Sequence, residues 1–194
     1  MNADTLYQTL KERFAEQVVE IVSDNVDPYV VVERNALKEI ALFLRDSEDL
    51  HFDFLESISG VDTTEDLFLV YHIFSYTHRH SCIIRVRFSY DDLSVASLSD
   101  VWAAANWHER EQYDLFGFVF EGHPDPRRLL LPEDWDGHPL LKNYEYPEEY
   151  HGIDHYRPDP KEQFKALDDL AAKAAAKVRE QKAAQSPSEA SPEN

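Results

Sequence analysis

Nine histidines and 38 acidic residues could support metal ligation or general acid–base catalysis. Three groupings are worth weighing. His78-Arg79-His80 is an i, i+2 histidine pair, but no third ligand lies nearby in sequence, so an exposed polar hairpin tip is the better reading. His108, Glu109 and Glu111 look like a zinc-protease helix only superficially. The His-Glu-x-x-His spacing fails because position 112 is Gln. His123 and His138 each sit in a Gly-His-Pro triplet, at Gly122-His123-Pro124 and Gly137-His138-Pro139. Two such imidazoles could transfer protons. The bland alternative, which the residues favour, is that they form turns and hold backbone carbonyls across the ribbon. Glu109 and Glu111 point apart on a helix and cannot share a substrate. Arg110 and Asp114 stand at i, i+4 and can pair locally, leaving Arg127 and Arg128 as the expected long-range partners of Glu109 or of an acid on a neighbouring subunit. No nucleophile has an adjacent base. With five glycines and no Gly-x-Gly, there is no phosphate loop.

The elements that position these residues span Trp102 to Tyr144. A capping box predicts a helix start, with Ser97 as N-cap and Asp100 three residues on. Trp102, Asn106, Glu109, Tyr113 and Phe116 then share one helical face, and Gly117 can end the helix in the left-handed conformation. Glu109 on that stripe needs a cation or donors, or else its pKa rises. Beyond it, Pro124, Pro126, Pro132 and Pro139 exclude helix and predict an extended ribbon. Leu129, Leu130, Leu131, Trp135, Leu140 and Leu141 make that ribbon too apolar to lie free in water, so another subunit is a good candidate to cover it.

Upstream, apolar periodicity predicts a helix over residues 5–22, a strand at Tyr29–Val32 and a helix over 36–45 capped by Asn35. Strands are expected at Phe54–Val61, Leu67–Tyr76 and Ser81–Ser89, the last two joined as a hairpin through Thr77-His78-Arg79-His80. This order predicts an α+β fold: an antiparallel sheet with helices on one face, followed by a proline-rich C-terminal arm and a terminal helix. The expected divisions are a globular domain over 1–120, a subunit-binding arm over 121–160, a helix over 161–184 opened by Asp159-Pro160, and a disordered tail over 185–194.

Composition narrows the function. A net charge of −19 argues against nucleic acid, because phosphate binding needs clustered Lys and Arg. No apolar run reaches the ~20 residues of a spanning helix. Met1-Asn2-Ala3-Asp4 lacks the basic and apolar regions of an export signal. The single cysteine, Cys82, permits no internal disulfide and no cysteine-ligated iron–sulfur cluster built by this chain alone. It is expected to be inert core.

The run HEREQYDLFGFVFEGHPDPRRLLLPEDWDGHPLLKNY resembles the signature of the thirty-kilodalton subunit family of respiratory complex I, the proton-pumping NADH:quinone oxidoreductase, without gaps from Glu109 to Tyr144. The sequence departs from that pattern at Pro126, Leu141 and Asn143, and its ending is stretched to Tyr144-Glu145-Tyr146-Pro147. The resemblance implies a chain with no catalytic, cofactor-binding or metal residues of its own. FMN and iron–sulfur clusters would lie on other subunits, with quinone as acceptor. The implied partner is the hydrogenase-like subunit of the quinone module, and the implied place is peripheral, on the cytoplasmic side of the inner membrane. The implied interface and structural residues are Glu109, Arg110, Glu111, Tyr113, Asp114, Phe116, Gly117, Gly122, His123, Pro124, Arg127, Arg128, Pro132, Trp135, Gly137, His138 and Pro139. Two alternatives stand beside it. One is the matching subunit of a membrane-bound hydrogenase or of a ferredoxin- or reduced-deazaflavin-dependent dehydrogenase. The other is a free-standing metal-dependent hydrolase.

Overall fold

A computed structural model describes residues 3–154. The predicted helix over 5–22 is two elements: helix α1 (Ala3–Arg13) and strand β1 (Val18–Val22). Val18-Val19-Glu20-Ile21-Val22 is β-branched at four of five positions, and strand pairing overrides a helical period that persists by coincidence. Strand β2 (Tyr29–Val32) pairs antiparallel with β1. Asn35 does not cap. It lies in a short 3-10 turn, and helix α2 (Leu37–Asp46) starts from Ala36 with no side-chain cap.

Strands β3 (Phe54–Asp62), β4 (Leu67–Ser75) and β5 (His80–Phe88) form an antiparallel meander. The full sheet has the order β1-β2-β5-β4-β3. It departs from the antiparallel expectation at one pair, since β2 runs parallel to β5. Parallel neighbours need a long crossover, and α2 with β3 and β4 supplies it. The sheet is therefore mixed and mostly antiparallel, within an α+β fold.

One face of the sheet carries the core. Leu69, Tyr71 and Ile73 of β4 and Cys82, Ile84 and Val86 of β5 join Leu6 and Leu10 of α1 and Leu37, Ile40 and Leu44 of α2 in a single buried cluster. Cys82 is buried there, and burial pushes its thiol well up. Helix α3 (Ala105–Phe116) joins strands β6 (Ser94–Ala96) and β7 (Val119–Glu121), which pair parallel in a second, two-stranded sheet.

The predicted capping box is absent. Residues 98–104 form turns, with Leu98 O accepting from Val101 N and Trp102 N, and the helix starts only at Ala105. Asp100 pairs instead with Lys38 at 2.8 Å. Gly117 does end α3 in the left-handed region, at φ 82°.

The described chain through Glu145 belongs to one compact unit, and Tyr146 begins a second. In the second, strands β8 (Glu149–Tyr150) and β9 (Ile153–Asp154) form a small hairpin. The expected helix over 161–184 and tail over 185–194 lie outside the described residues. No helix among the described residues is long and apolar enough to cross a membrane.

Candidate functional site

Helix α3 is wedged between the edge of the sheet and the ribbon that follows it. Ala105, Glu109, Gln112 and Phe116 are buried toward the sheet, while Arg110 and Asp114 are buried toward the ribbon. Trp102, placed on the stripe by its spacing, precedes the helix; its indole N–H donates to Phe52 O at 2.9 Å. Tyr113 is half-buried, edge-on to His138 with ring centroids 6.2 Å apart. Glu111 is half-buried, and among the described residues it has no ion pair.

Glu109 has no arginine partner, contrary to expectation. It is fully buried and accepts 2.6 Å hydrogen bonds from the Ser97 hydroxyl and the Leu98 N–H. The β6–α3–β7 unit brings these groups together, because Ser97 and Leu98 follow β6 directly and Ser97 N donates to Glu121 O at 2.9 Å. Burial outweighs the two donors and raises the Glu109 carboxyl from its usual 4.5 to about 7. The cations that the spacing assigns to Glu109 are engaged elsewhere. Arg127 is exposed and chelates Asp125 at 2.6 and 2.8 Å, while Arg128 turns to Asp114.

Asp114 is the centre of the seam. Its Oδ2 accepts three successive backbone N–H groups, from Leu129 at 2.9 Å, Leu130 at 2.6 Å and Leu131 at 2.9 Å. Its Oδ1 accepts from Arg128 Nη1 at 2.8 Å. Burial alone would raise the Asp114 carboxyl; the donors of Leu131, Arg128, Leu130 and Leu129 together win, and its pKa is lowered. Arg128 Nη2 also donates to Trp135 O at 3.0 Å and Gly137 O at 3.1 Å, which curls the ribbon around one guanidinium.

Arg110 does not pair with Asp114. Its Nε and Nη2 donate to the carbonyls of Arg127 and Arg128 at 3.1 Å each, and Nη1 approaches Asp125 at 3.7 Å. The i, i+4 spacing allows a local pair, but both side chains face the ribbon, where backbone groups offer them stronger geometry.

The two histidines hold carbonyls, on the helix rather than across the ribbon. His123 Nδ1 accepts from Asp125 N at 3.0 Å, so its Nε2 carries the proton and donates to Asn106 O at 3.1 Å. His138 Nδ1 donates to Asp114 O at 2.9 Å. The His138 ring lies over Gly117, where an added Cβ would come within 2.7 Å of it. Gly122 and Gly137 take φ of 79° and 73°, turning the chain before each histidine. Pro124 and Pro132 are exposed or half-buried along the ribbon, as is Pro139; none can donate, and each keeps the ribbon extended.

A second anchor involves Asp62, at the end of β3. It accepts the Lys142 N–H at 2.8 Å, the Thr64 N–H at 2.8 Å and the Tyr90 hydroxyl. Beside it Leu141 packs against the core. Thus the ribbon is bound at both ends to its own chain, where its composition pointed to another subunit as the cover. Leu130 and Leu140 remain outside, 61% and 49% exposed.

The His78-x-His80 pair is not an exposed tip throughout. His78 is exposed and bonds Glu48 O at 2.9 Å, but His80 is buried and bonds Leu50 O at 2.8 Å. Burial lowers the pKa of His80. Among the described residues no three ligating side chains come together.

The model of the family described as respiratory-chain NADH dehydrogenase, 30 Kd subunit, matches residues 30–150, which contain the whole sheet core from β2 onward and the seam. This chain belongs to that family. It is 43% identical to the corresponding NADH-quinone oxidoreductase subunit of Chlorobium phaeobacteroides over 151 residues, covering 76% of this chain and 91% of the relative. It is also 43% identical to that of Chloroherpeton thalassium over 150 residues, covering 76% of this chain and 62% of that longer relative. Among solved structures, a trypsin-resistant fragment of Nqo5 matches with a TM-score of 0.52 and 33% identity, over 62% of this chain and 98% of the fragment. A chain of the archaeal membrane-bound sulfane sulfur reductase shares the fold, at a TM-score of 0.63 and 20% identity, over 81% of this chain and 96% of that one.

In this member of the family, sequence reasoning missed Ser97 as a Glu109 ligand, Asp62 as an anchor, and Gln112. The Gln112 amide donates to Ile58 O at 3.0 Å and accepts from Gly60 N at 2.7 Å, satisfying the open edge of β3. Gly60 permits this approach, since a Cβ there would meet the Phe116 ring at 2.6 Å. An uncharged glutamine on an otherwise buried helix face was the available signal.

Proposed function

We propose that this chain is a non-catalytic structural and assembly subunit of the quinone-reducing module of a proton-pumping NADH:quinone oxidoreductase, and that its arm clasps the hydrogenase-like subunit. The carriers of the complex, FMN and iron–sulfur clusters, would sit on other subunits, and the complex would hold this chain peripherally on the cytoplasmic side of the membrane. The observation that supports this reading is the geometry of the arm. Asp114, Arg128 and His138 draw its backbone inward, which leaves Leu130 and Leu140 projecting outward from a fixed frame. A pre-ordered backbone lowers the entropic cost of docking, and exposed leucines on it supply apolar area for a partner.

The test is a double substitution, Leu130→Asp with Leu140→Asp. Both side chains are largely exposed, so the melting temperature of the isolated chain should stay within about 2 °C. The amount of assembled complex on a native gel should fall, and quinone reduction should fall in parallel, with turnover per assembled complex preserved. Normal assembly with collapsed turnover would overturn the non-catalytic reading. Normal assembly with normal turnover would remove the arm from the interface.

A further inference from the structure

The sheet has a second face, opposite the one on which α1 and α2 pack, that the described helices do not cover. Its outward positions are set by the register. Val61 pairs with Phe68 and Phe68 with Arg87; Val70 lies between Ser59 and Arg85; Phe74 pairs with Phe54. An antiparallel sheet with one solvated face usually alternates apolar-in and polar-out. Here the outward series keeps Val61, Phe68, Val70 and Phe74, and Phe54 and Val61 are 40% and 42% exposed. At one end, Phe54 and Phe74 both pack against Tyr76, which is itself exposed.

Arg85 stands in the middle of this face. Its cross-strand neighbours are Val31 and Val70, both buried, and its guanidinium lies 3.7 Å from the centroid of the Tyr29 ring. Its Nε–H is buried with no hydrogen-bond partner, and among the described residues Arg85 makes no ion pair. By contrast, Arg87 is paired with Asp66, and Arg34, Arg110 and Arg128 each have a carboxylate. A cleft of about 530 Å³ opens in front of Arg85, lined also by Tyr29, Val31, Phe68 and Arg87 and by the acids Glu20, Glu33 and Asp66, of which Asp66 is taken up by Arg87 and none forms an ion pair with Arg85.

A guanidinium has only donors, so the group that completes it must be an acceptor, and an anion fits best. Stacking on Tyr29 fixes the plane of the fork in advance. Val31 and Val70 directly beside Arg85, with Phe68 next along β4, call for apolar side chains immediately around that anion, while Glu20 and Ser59 bound the apolar strip one strand further out on each side. We propose that the open face of the sheet is a second docking surface, and that it receives a polypeptide segment of a neighbouring subunit that sets an Asp or Glu carboxylate on Arg85 between apolar side chains. This inference rests on the reading of the chain as part of an assembly, and it concerns a surface separate from the arm.

Arg85→Gln, Arg85→Lys and Arg85→Glu test it in the native complex. In the isolated chain Arg85→Gln removes no ion pair but gives up the stacking on Tyr29, so its melting temperature should fall by no more than about 2–4 °C. The affinity of the chain for the remaining complex should fall roughly tenfold or more with Gln, further with Glu, and less with Lys, which keeps the charge. A photo-crosslinking residue placed at Ser59 or Ser81 on this face should label a different subunit of the complex. Crosslinks to a second copy of this chain, to lipid, or to nothing would overturn the proposal. So would a lowered melting temperature of Arg85→Gln, of whatever size, with binding unchanged, which would reduce Arg85 to a packing residue on Tyr29. Failure of the assembly reading itself looks different: the wild-type chain would be missing from the purified complex.

Discussion

Glu109 and Asp114 are both fully buried carboxylates on one helix, five residues apart, and their environments push them in opposite directions. The difference lies in the donor count. Glu109 has two donors, the His123 ring nitrogen at 3.9 Å and only the more distant charge of Lys38 to favour ionisation, so burial prevails; Asp114 has three N–H groups and a guanidinium, so its charge is held. A raised acid favours the protonated form in the fold, so its contribution is full below about 4.5 and is lost as pH rises through about 7. Glu109→Gln keeps the shape and removes that titration. Measured by urea unfolding, the variant should gain on wild type by up to about 3 kcal/mol between about pH 5 and about pH 8. A difference that stays constant across that range would show that Glu109 remains ionised in the fold.

The element that matters most is the arm, because it is a loop made rigid by hydrogen bonds to a helix rather than by a sheet. Asp114 binds Leu129, Leu130 and Leu131 through backbone N–H groups, so the attachment does not depend on those side chains and leaves them for other uses. Removing the charge strands Arg128, whose side chain is only 16% exposed. Asp114→Asn should therefore cost about 3 kcal/mol, in the range for breaking a buried pair. Hydrogen exchange at Leu129 to Leu131 should accelerate more than exchange in β4. Equal protection in both would mean that the arm holds without its charge. Because the Asp114 pKa is lowered, this anchor is present at and above the ordinary carboxylate range and is lost only as pH falls through the depressed folded value.

At the scale of the molecule, 38 acidic residues against 19 Lys and Arg make a self-repelling surface. The exposed ion pairs within it are close contacts, some local, such as Arg127 with Asp125, and some joining distant segments, such as Arg34 with Asp92. Screening should relieve the repulsion more than it weakens those pairs. Raising salt from ~20 to ~200 mM should lift the melting temperature by about 2–4 °C, equivalent to about 1 kcal/mol. A fall instead would mean that the exposed ion pairs outweigh net repulsion.

The sequence alone determined what depends on local pattern. A continuous apolar run placed β4, alternation placed β5, and the link between them their hairpin; the Tyr29–Val32 strand emerged with its observed bounds, and Gly117 ended its helix because few other residues take a left-handed φ without strain. The density of the motif from Glu109 to Tyr144 also carried the family resemblance. Tertiary structure decided what depends on partners distant in the chain. Helical spacing in residues 14–22 is compatible with a strand once β2 offers a ladder, and only the ladder selects it. The parallel β2–β5 pair rests on a crossover that no local pattern encodes. Charge partners were the least legible, because an arginine near in sequence can be turned away by its backbone. Spacing assigns Glu109 to Arg127 or Arg128, yet it is served by Ser97 and Leu98, twelve and eleven residues upstream, which the β6–β7 pairing brings to it. Spacing can say that a buried carboxylate needs donors; which donors arrive is settled by how the strands and helix close.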